Sequence, residues 1–442
     1  MLNLLSFIPA VAAALDKPTF NWKTLIIGFS SAHYLFETYL SIRQYRVLQR
    51  PEPPATLAGT IEKETFTKSQ EYSRAKARFG FISNIYSYVI DISFIHYDLL
   101  PKFWSIAGRL LVSYAPRFAG EITQSVLFFL GYNVVTTMIS LPLSLYSTFV
   151  LEEKFGFNKQ TPSLFLGDLI KTQLLTVVIG SPLLAVFLKI ILHFGDSFFY
   201  YLWLFTLMFQ VVAIVVYPVL IQPLFNKVVP LTDGQIKLEV EKLASQLEFP
   251  LKELYVIDGS KRSAHSNAYF YGLPWKKHIV IYDTLIAEFN SDQVVAVLAH
   301  ELGHWALSHT TKMLVIQQVH LFSLFVLFAV FINNKSLYRS FGFGGQRPVM
   351  IGFILFNDIL GPLNSVLTFA LSLLSRKHEY EADEFAVKLG FSEQLSQALI
   401  KLHIQNLSTM DADWLYSSYH FSHPILPERL RAMGWQPTKK TD

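Results

Sequence analysis

The chain has 442 residues, 52% of them hydrophobic and 16% charged, with 38 phenylalanines and no cysteine. An average soluble domain carries about 25% charged residues, so this composition and a positive mean hydropathy predict a membrane protein. Lack of cysteine excludes disulfides, thiolate metal ligands and a cysteine nucleophile, leaving His and carboxylate to hold any metal, and the small, dispersed net charge of +4 gives no reason to expect nucleic acid.

Residues 1–15 are apolar and end in small residues, like the core of a signal peptide, but no basic stretch precedes them. They are read as a retained apolar segment near the membrane surface. A spanning helix needs about twenty mostly apolar residues, and seven stretches qualify: 22–43, 80–100, 123–149, 165–193, 197–222, 312–333 and 349–374. The second is interrupted by Asn84, Asp91 and His96. The expected fold is therefore an all-α bundle of seven transmembrane helices carrying a small cytosolic α/β unit. Four regions follow: a five-helix membrane region over 1–226, an α/β unit over 227–311, two further spans over 312–374, and a helical polar tail over 375–442. The segment 44–79, with Pro51, Pro53 and Pro54, reads as a charged loop. Its Arg46, Arg50, Lys63, Lys68, Arg74, Lys76 and Arg78 place it in the cytosol by positive-inside bias. Counting spans from there puts 227–311 and the tail in the cytosol too, with the N-terminus lumenal.

Within 227–311, Glu253 to Ile257 and His278 to Tyr282 read as strands, and a helix is predicted from about Asp292 to His309. Asn290 or Ser291 can cap that helix, with Gln293 closing a capping box from Asn290. The helix carries His300-Glu301-Leu302-Gly303-His304, an HExxH motif. Residues four apart share a helical face, so both imidazoles can reach one ion. Zinc lowers the pKa of a bound water to about 7, and a neighbouring carboxylate, here Glu301, takes its proton. A charged helix face with two incidental histidines would give the same five letters. Val294, Val295, Val297 and Leu298 lead into the motif, however, and burying two histidines and a glutamate without a partner is costly. Catalytic zinc usually has three protein ligands. Glu379, in Ser375-Arg376-Lys377-His378-Glu379-Tyr380-Glu381-Ala382-Asp383, is the candidate third. Asp383, one turn on, can orient a ligand histidine. Glu381 is read as a surface residue, and no role is assigned to His265, His309, His378 or His420. Two predicted spans separate His304 from Glu379, so the chain returns to the same side and the three ligands can meet.

HExxH followed, after two spans, by SRxxEYxAD resembles the type I CAAX prenyl proteases, membrane zinc proteases of the endoplasmic reticulum and inner nuclear membrane. Glu153-Lys154-Phe155-Gly156-Phe157-Asn158, Pro223-Leu224-Phe225-Asn226-Lys227, Asn267-Ala268, and His423-Pro424 with Arg429 match the same family. The resemblance implies one zinc ion per chain on His300, His304 and Glu379, with Glu301 as general base. It further implies that Asn267 and Ala268 lie on an edge strand pairing with extended substrate, that Asn267 or His423 stabilises the oxyanion, and that Arg429 contacts the substrate backbone. Arg429 beside Glu428 could equally form a surface ion pair. The implied substrate is a prenylated CAAX polypeptide cut to release its last three residues, with a second cut near the N-terminus of a prenylated precursor. Lys439-Lys440 near the C-terminus resembles a dilysine signal for retrieval to the endoplasmic reticulum.

His33, Glu37, Asn84, Asp91, Asp168, Lys171, Gln210, Gln317, Gln318, Asn357 and Asp358 fall in or beside predicted spans. A charge at the bilayer centre costs roughly 2.5–3.5 kcal/mol on insertion scales. These residues must face other helices or water, either as interhelical hydrogen bonds or as the lining of a chamber such as the resembled family has. Three other functions share these features. One is a broader quality-control protease. The second is an intramembrane metalloprotease, against which the polar flanks Asp292, Gln293, Ser308 and Lys312 argue. The third is a transporter or receptor with an incidental HExxH.

Overall fold

The computed structural model describes residues 2–436, and the dilysine pair Lys439-Lys440 lies outside them. The architecture is predominantly helical. Among the described residues, three helical runs are long and apolar enough to cross a membrane: Glu121–Glu152, Pro162–Leu224 and His309–Phe331. A fourth is the pair Val349–Ile359 and Gly361–Lys388, bent by 60°. Pro362 lies just past the bend, where its ring would clash with the carbonyl four residues back and it offers no N–H to the helix ladder. The run Pro162–Leu224 folds back on itself at Gly195, whose φ of 50° turns the chain between Ser181–Phe194 and Phe198–Val216. Leu166, Val178, Met208 and Val319 point outward and are more than half exposed. A helix in water buries its apolar stripe; apolar surface turned outward along whole helices is suited to lipid.

Five of the seven predicted spans fall in these runs. The first and second fall in Trp22–Val47 and Lys63–His96, helices too polar to qualify by composition alone. The segment 44–79 is not the loop the charges suggested. Helix Trp22–Val47 runs into it, prolines at 51, 53 and 54 break the chain, and helix Lys63–His96 takes up the rest. Lys63, Lys68, Arg74, Lys76 and Arg78, good helix formers, lie on this 34-residue helix, while Arg46 belongs to the helix before it. A further helix, Leu99–Tyr114, follows a break at Asp98, φ 50°, and was not foreseen. The apolar segment at the chain start forms helix Leu2–Leu15, and Ile8 packs in the membrane-side core with Trp22, Phe198 and Phe328.

A four-stranded sheet lies between the membrane runs, in the order β1-β2-β4-β3, with β1 Val228–Pro230, β2 Leu251–Ile257, β3 Ala268–Leu273 and β4 Lys276–Tyr282. β2 and β4 are the two strands read from the sequence, and they pair in parallel. β3 returns antiparallel to β4, Ala268 opposite Ile281 and Leu273 opposite Lys276, and it has a strand partner on one side alone. Gly272, at φ 116°, makes the hairpin possible, since a Cβ there would lie 2.3 Å from the Lys276 carbonyl. The central strands share one core with the HExxH helix: Leu254, Ile279 and Ile281 pack with Val294, Leu298 and Leu302. Leu399, Leu426 and Leu430 from the C-terminal helices complete it.

Candidate metal centre

The HExxH helix spans Ser291–Ala306. Asn290 caps it in a full capping box: the Gln293 amide donates to Asn290 Oδ1 at 2.9 Å and the Asn290 amide to Gln293 Oε1 at 3.4 Å. The helix ends three residues earlier than the sequence suggested. Ser308 adopts φ 57°, and His309 instead starts the next helix, His309–Phe331. With Val294, Leu298 and Leu302 anchored in the core, the opposite face turns His300 and His304 toward helix Gly361–Lys388, which carries Glu379 and Asp383. Gly303 makes that approach close. A Cβ there would sit 3.3 Å from backbone atoms of Ala382 and 3.2 Å from Phe385.

His300, His304 and Glu379 converge with their ligand atoms all within 4.8 Å of one another. His300 Nε2 lies 3.4 Å from Glu379 Oε2, and His304 Nε2 lies 3.3 Å from Glu379 Oε1. Glu379 is buried, and its Oε2 has no hydrogen-bond partner. A buried carboxylate facing two imidazoles, one of its oxygens making no hydrogen bond, in a donor set of two nitrogens and one oxygen, fits a divalent ion of the zinc type. Asp383 Oδ1 is 2.9 Å from His300 Nδ1, on the ring edge away from the cage, and fixes that imidazole's tautomer.

The charges behind the cage are tightly coupled. Burial and the Arg429 charge oppose protonation of His300, but its contacts with Asp383 and Glu379 prevail and lift its pKa to about 9. Burial disfavours the charged form of Glu379, yet the two histidines and Arg429 hold its carboxyl far below the usual range. Burial likewise opposes ionisation of Asp383, and Arg429 and His300 reverse the sign. Glu301, half-buried beside them, is different: burial wins and raises its carboxyl, against the pull of His300 and His304. A raised carboxyl pKa suits proton transfer near neutral pH.

Arg429 does not pair with its neighbour Glu428, which instead accepts from Arg376 at 2.7 Å. Arg429 is buried, its Nε and Nη2 on the two oxygens of Asp383 and its Nη1 3.6 Å from Glu379 Oε2. His423 reaches the cage from the tail, its Nε2 3.3 Å from Glu379 Oε1, while the rest of the ring is exposed. Ala268 begins the edge strand β3, and the exposed Asn267 precedes it, its Oδ1 accepting from the Ala268 amide. Two residues outside the predicted site join this network. Glu381 is partly shielded and accepts from His309 Nε2 at 2.9 Å, and His309 Nδ1 meets His304 Nδ1 at 3.0 Å. Only the five-residue spacing from His304 hinted at this, and it depends on the break at Ser308.

A cavity of about 750 Å³ opens on the His423 side of the cage. Glu37, Gln44, Lys76, Asn84, His265 and Asn406 are among its polar walls. Glu37 and Asn84 are thus polar residues of predicted spans that face space, whereas Gln318 and Gln210 hydrogen-bond between helices at 2.6 Å.

Residues 44–227 match the family profile described as CAAX prenyl protease N-terminal, five membrane helices, and residues 230–434 match Peptidase family M48. The chain is 47% identical to a Saccharomyces cerevisiae protein named CAAX prenyl protease 1, over 96% of this chain and 98% of that one. It is 41% identical to the Homo sapiens CAAX prenyl protease 1 homolog, over 92% and 94%. The crystal structure of S. mikatae Ste24p superposes with a TM-score of 0.90 at 47% identity, covering 95% of this chain and all of that one. The buried His-His-Glu cage, the multi-helix membrane fold and these likenesses agree, and the chain belongs to peptidase family M48, among the CAAX prenyl proteases of type 1.

Proposed function

We propose that this chain is a zinc-dependent endopeptidase that removes the last three residues of prenylated CAAX polypeptides at a membrane. The observation that carries the reading is the convergence of His300, His304 and Glu379 on one point, with Glu379 Oε2 left unpartnered there. Likeness to proteins named CAAX prenyl protease 1 supplies the substrate class. When bound, a zinc ion in this cage supplies Lewis acidity, polarising a scissile carbonyl and making water acidic at neutral pH.

The protein's own residues do the rest. Glu301, beside the two histidines, takes the proton of the attacking water and passes it to the leaving amine. His423, at the cavity side of Glu379, or Asn267, ahead of β3, donates to the carbonyl oxygen as negative charge develops. The edge of β3 offers unpaired backbone groups to an extended substrate, with Ala268 at its start. Arg429 holds Asp383, and through it His300; its Nη1 edge is what it can offer a substrate backbone. The wide cavity beside His423 gives a bulky lipidated peptide room within the protein envelope.

Seven spans, with 227–311 and the tail cytosolic, keep the two metal-binding helices on one side. Residence in the endoplasmic reticulum belongs to this reading through the resemblance to the type I CAAX prenyl proteases. A second cut near the N-terminus of a prenylated precursor belongs to the same proposal. The decisive experiment uses the full chain in detergent: zinc per chain, and cleavage of farnesylated and unfarnesylated CAAX peptides with and without chelator. One zinc ion and chelator-sensitive cleavage that prefers the farnesylated peptide are expected. Equal cleavage of both would favour a broader quality-control protease, and absence of bound zinc would point to a transporter or receptor.

A further inference from the structure

A second group of potential metal ligands, His309, His378 and Glu381, touches the first through His304. Protonation states decide what it does. His304 turns Nε2 toward Glu379, so with an ion on Nε2 the proton of this neutral imidazole sits on Nδ1. Nδ1–H then donates to His309 Nδ1 at 3.0 Å, which must be the acceptor. The His309 proton is thereby on Nε2, which donates to Glu381 Oε2 at 2.9 Å. A metal ion on His309 Nε2 would move that proton to Nδ1 and set two N–H groups against each other across 3.0 Å. The His378 ring lies flat on His309, centroids 4.0 Å apart and planes within 9°, so it fixes the plane of the His309 ring.

The geometry points to a relay, His304 to His309 to Glu381, in which His309 and Glu381 are positioning residues for the metal ligand His304 rather than a second metal site. The two ligand histidines are then supported alike. His300 leans directly on Asp383, and His304 leans on Glu381 through an interposed imidazole. Both carboxylates sit on the helix that carries Glu379, so one rigid element sets all three. This inference rests on His304 being a zinc ligand. Partners of this kind typically contribute about 10–100-fold to metal affinity or activity.

The test is zinc affinity, measured with a competing chelator on the full chain in detergent, alongside the unfolding temperature of the metal-free protein. Glu381→Gln and His309→Ala should each weaken zinc about 10–100-fold, and the double variant should be no weaker than His309→Ala, because Glu381 acts only through His309. His378→Phe keeps the stacked face and should keep one zinc ion per chain, and Glu384→Gln, an exposed carboxylate on the same helix, should match wild type. Wild-type affinity in both Glu381→Gln and His309→Ala would overturn the relay. So would a further tenfold loss when Glu381→Gln is added to His309→Ala, a lower unfolding temperature without weaker zinc, or two zinc ions per chain with one lost in His378→Phe. Failure of wild type itself to bind zinc would instead overturn the reading of the primary site.

Discussion

Arg429 and Asp383 are joined by two hydrogen bonds, of 2.8 and 2.6 Å, in the buried layer directly behind His300. The tail helix Leu426–Ala432 is thereby tied to the helix bearing Glu379, and the imidazole on Asp383 is held from the far side.

Removing one member of such a pair leaves a buried charge unmatched, which typically costs about 3–5 kcal/mol. Arg429→Ala should lower the thermal unfolding temperature sharply and reduce zinc retention. Replacing both residues by apolar ones of similar size, Arg429→Met with Asp383→Leu, should recover much of the stability but not the zinc affinity. Thermal unfolding and bound-metal analysis of the single and double variants separate the two effects.

Glu301→Gln preserves the shape of the side chain and leaves the cage residues in place. Zinc content should stay near one per chain while peptide turnover falls by about 10²–10⁴-fold, the usual contribution of a positioned base. Wild-type turnover in this variant would contradict the assignment of Glu301.

His304→Ala and Glu379→Ala each remove a cage ligand. Zinc should be lost in both, and cleavage with it, and added zinc should not restore the rate at concentrations that saturate wild type. Metal analysis after gel filtration checks this directly.

The charge pattern of the cage predicts how pH acts on the metal-free protein. The pKa of His300 rises on folding from 6.5 to about 9, so its contribution to stability is full below 6.5 and is lost as pH rises through about 9. Glu379 is depressed from 4.5, so its contribution is present above 4.5 and is lost as pH falls below that. Through His300 the metal-free protein should therefore weaken toward pH 9, while burial, which lowers His309 and His403 to about 4, costs stability as pH falls below 6.5. A metal ion displaces the His300 proton, so bound zinc should remove the alkaline loss, and zinc affinity should rise with pH over the same range. Unfolding temperature against pH, with and without zinc, tests both signs.

Gly303→Ala would ordinarily stabilise a helix interior by about 1 kcal/mol. Here the new methyl would press on the Ala382 backbone, which cannot step aside as a flexible side chain would. The helices should part slightly, and zinc affinity should fall even if helix content is unchanged. Circular dichroism with chelator competition distinguishes this from simple unfolding.

The amino-acid sequence by itself determined the class of the protein and the residue types of its candidate centre. Long apolar runs announce membrane helices because lipid demands them, and the i, i+4 spacing of His300 and His304 places both imidazoles on one face of any helix they occupy. Asn290 and Gln293 marked the start of that helix for an equally local reason, their reciprocal hydrogen bonds. The even number of predicted spans between His304 and Glu379 allows the two residues to meet on one side. Only the tertiary structure decided what surrounds the cage. The break at Ser308 swings His309 back onto His304, Arg429 takes Asp383 across 46 residues in preference to a surface partner, and the polar helices Trp22–Val47 and Lys63–His96 wall a cavity. None of these follows from local periodicity, because each depends on which distant side chain reaches a buried donor or acceptor first, and that is settled by packing.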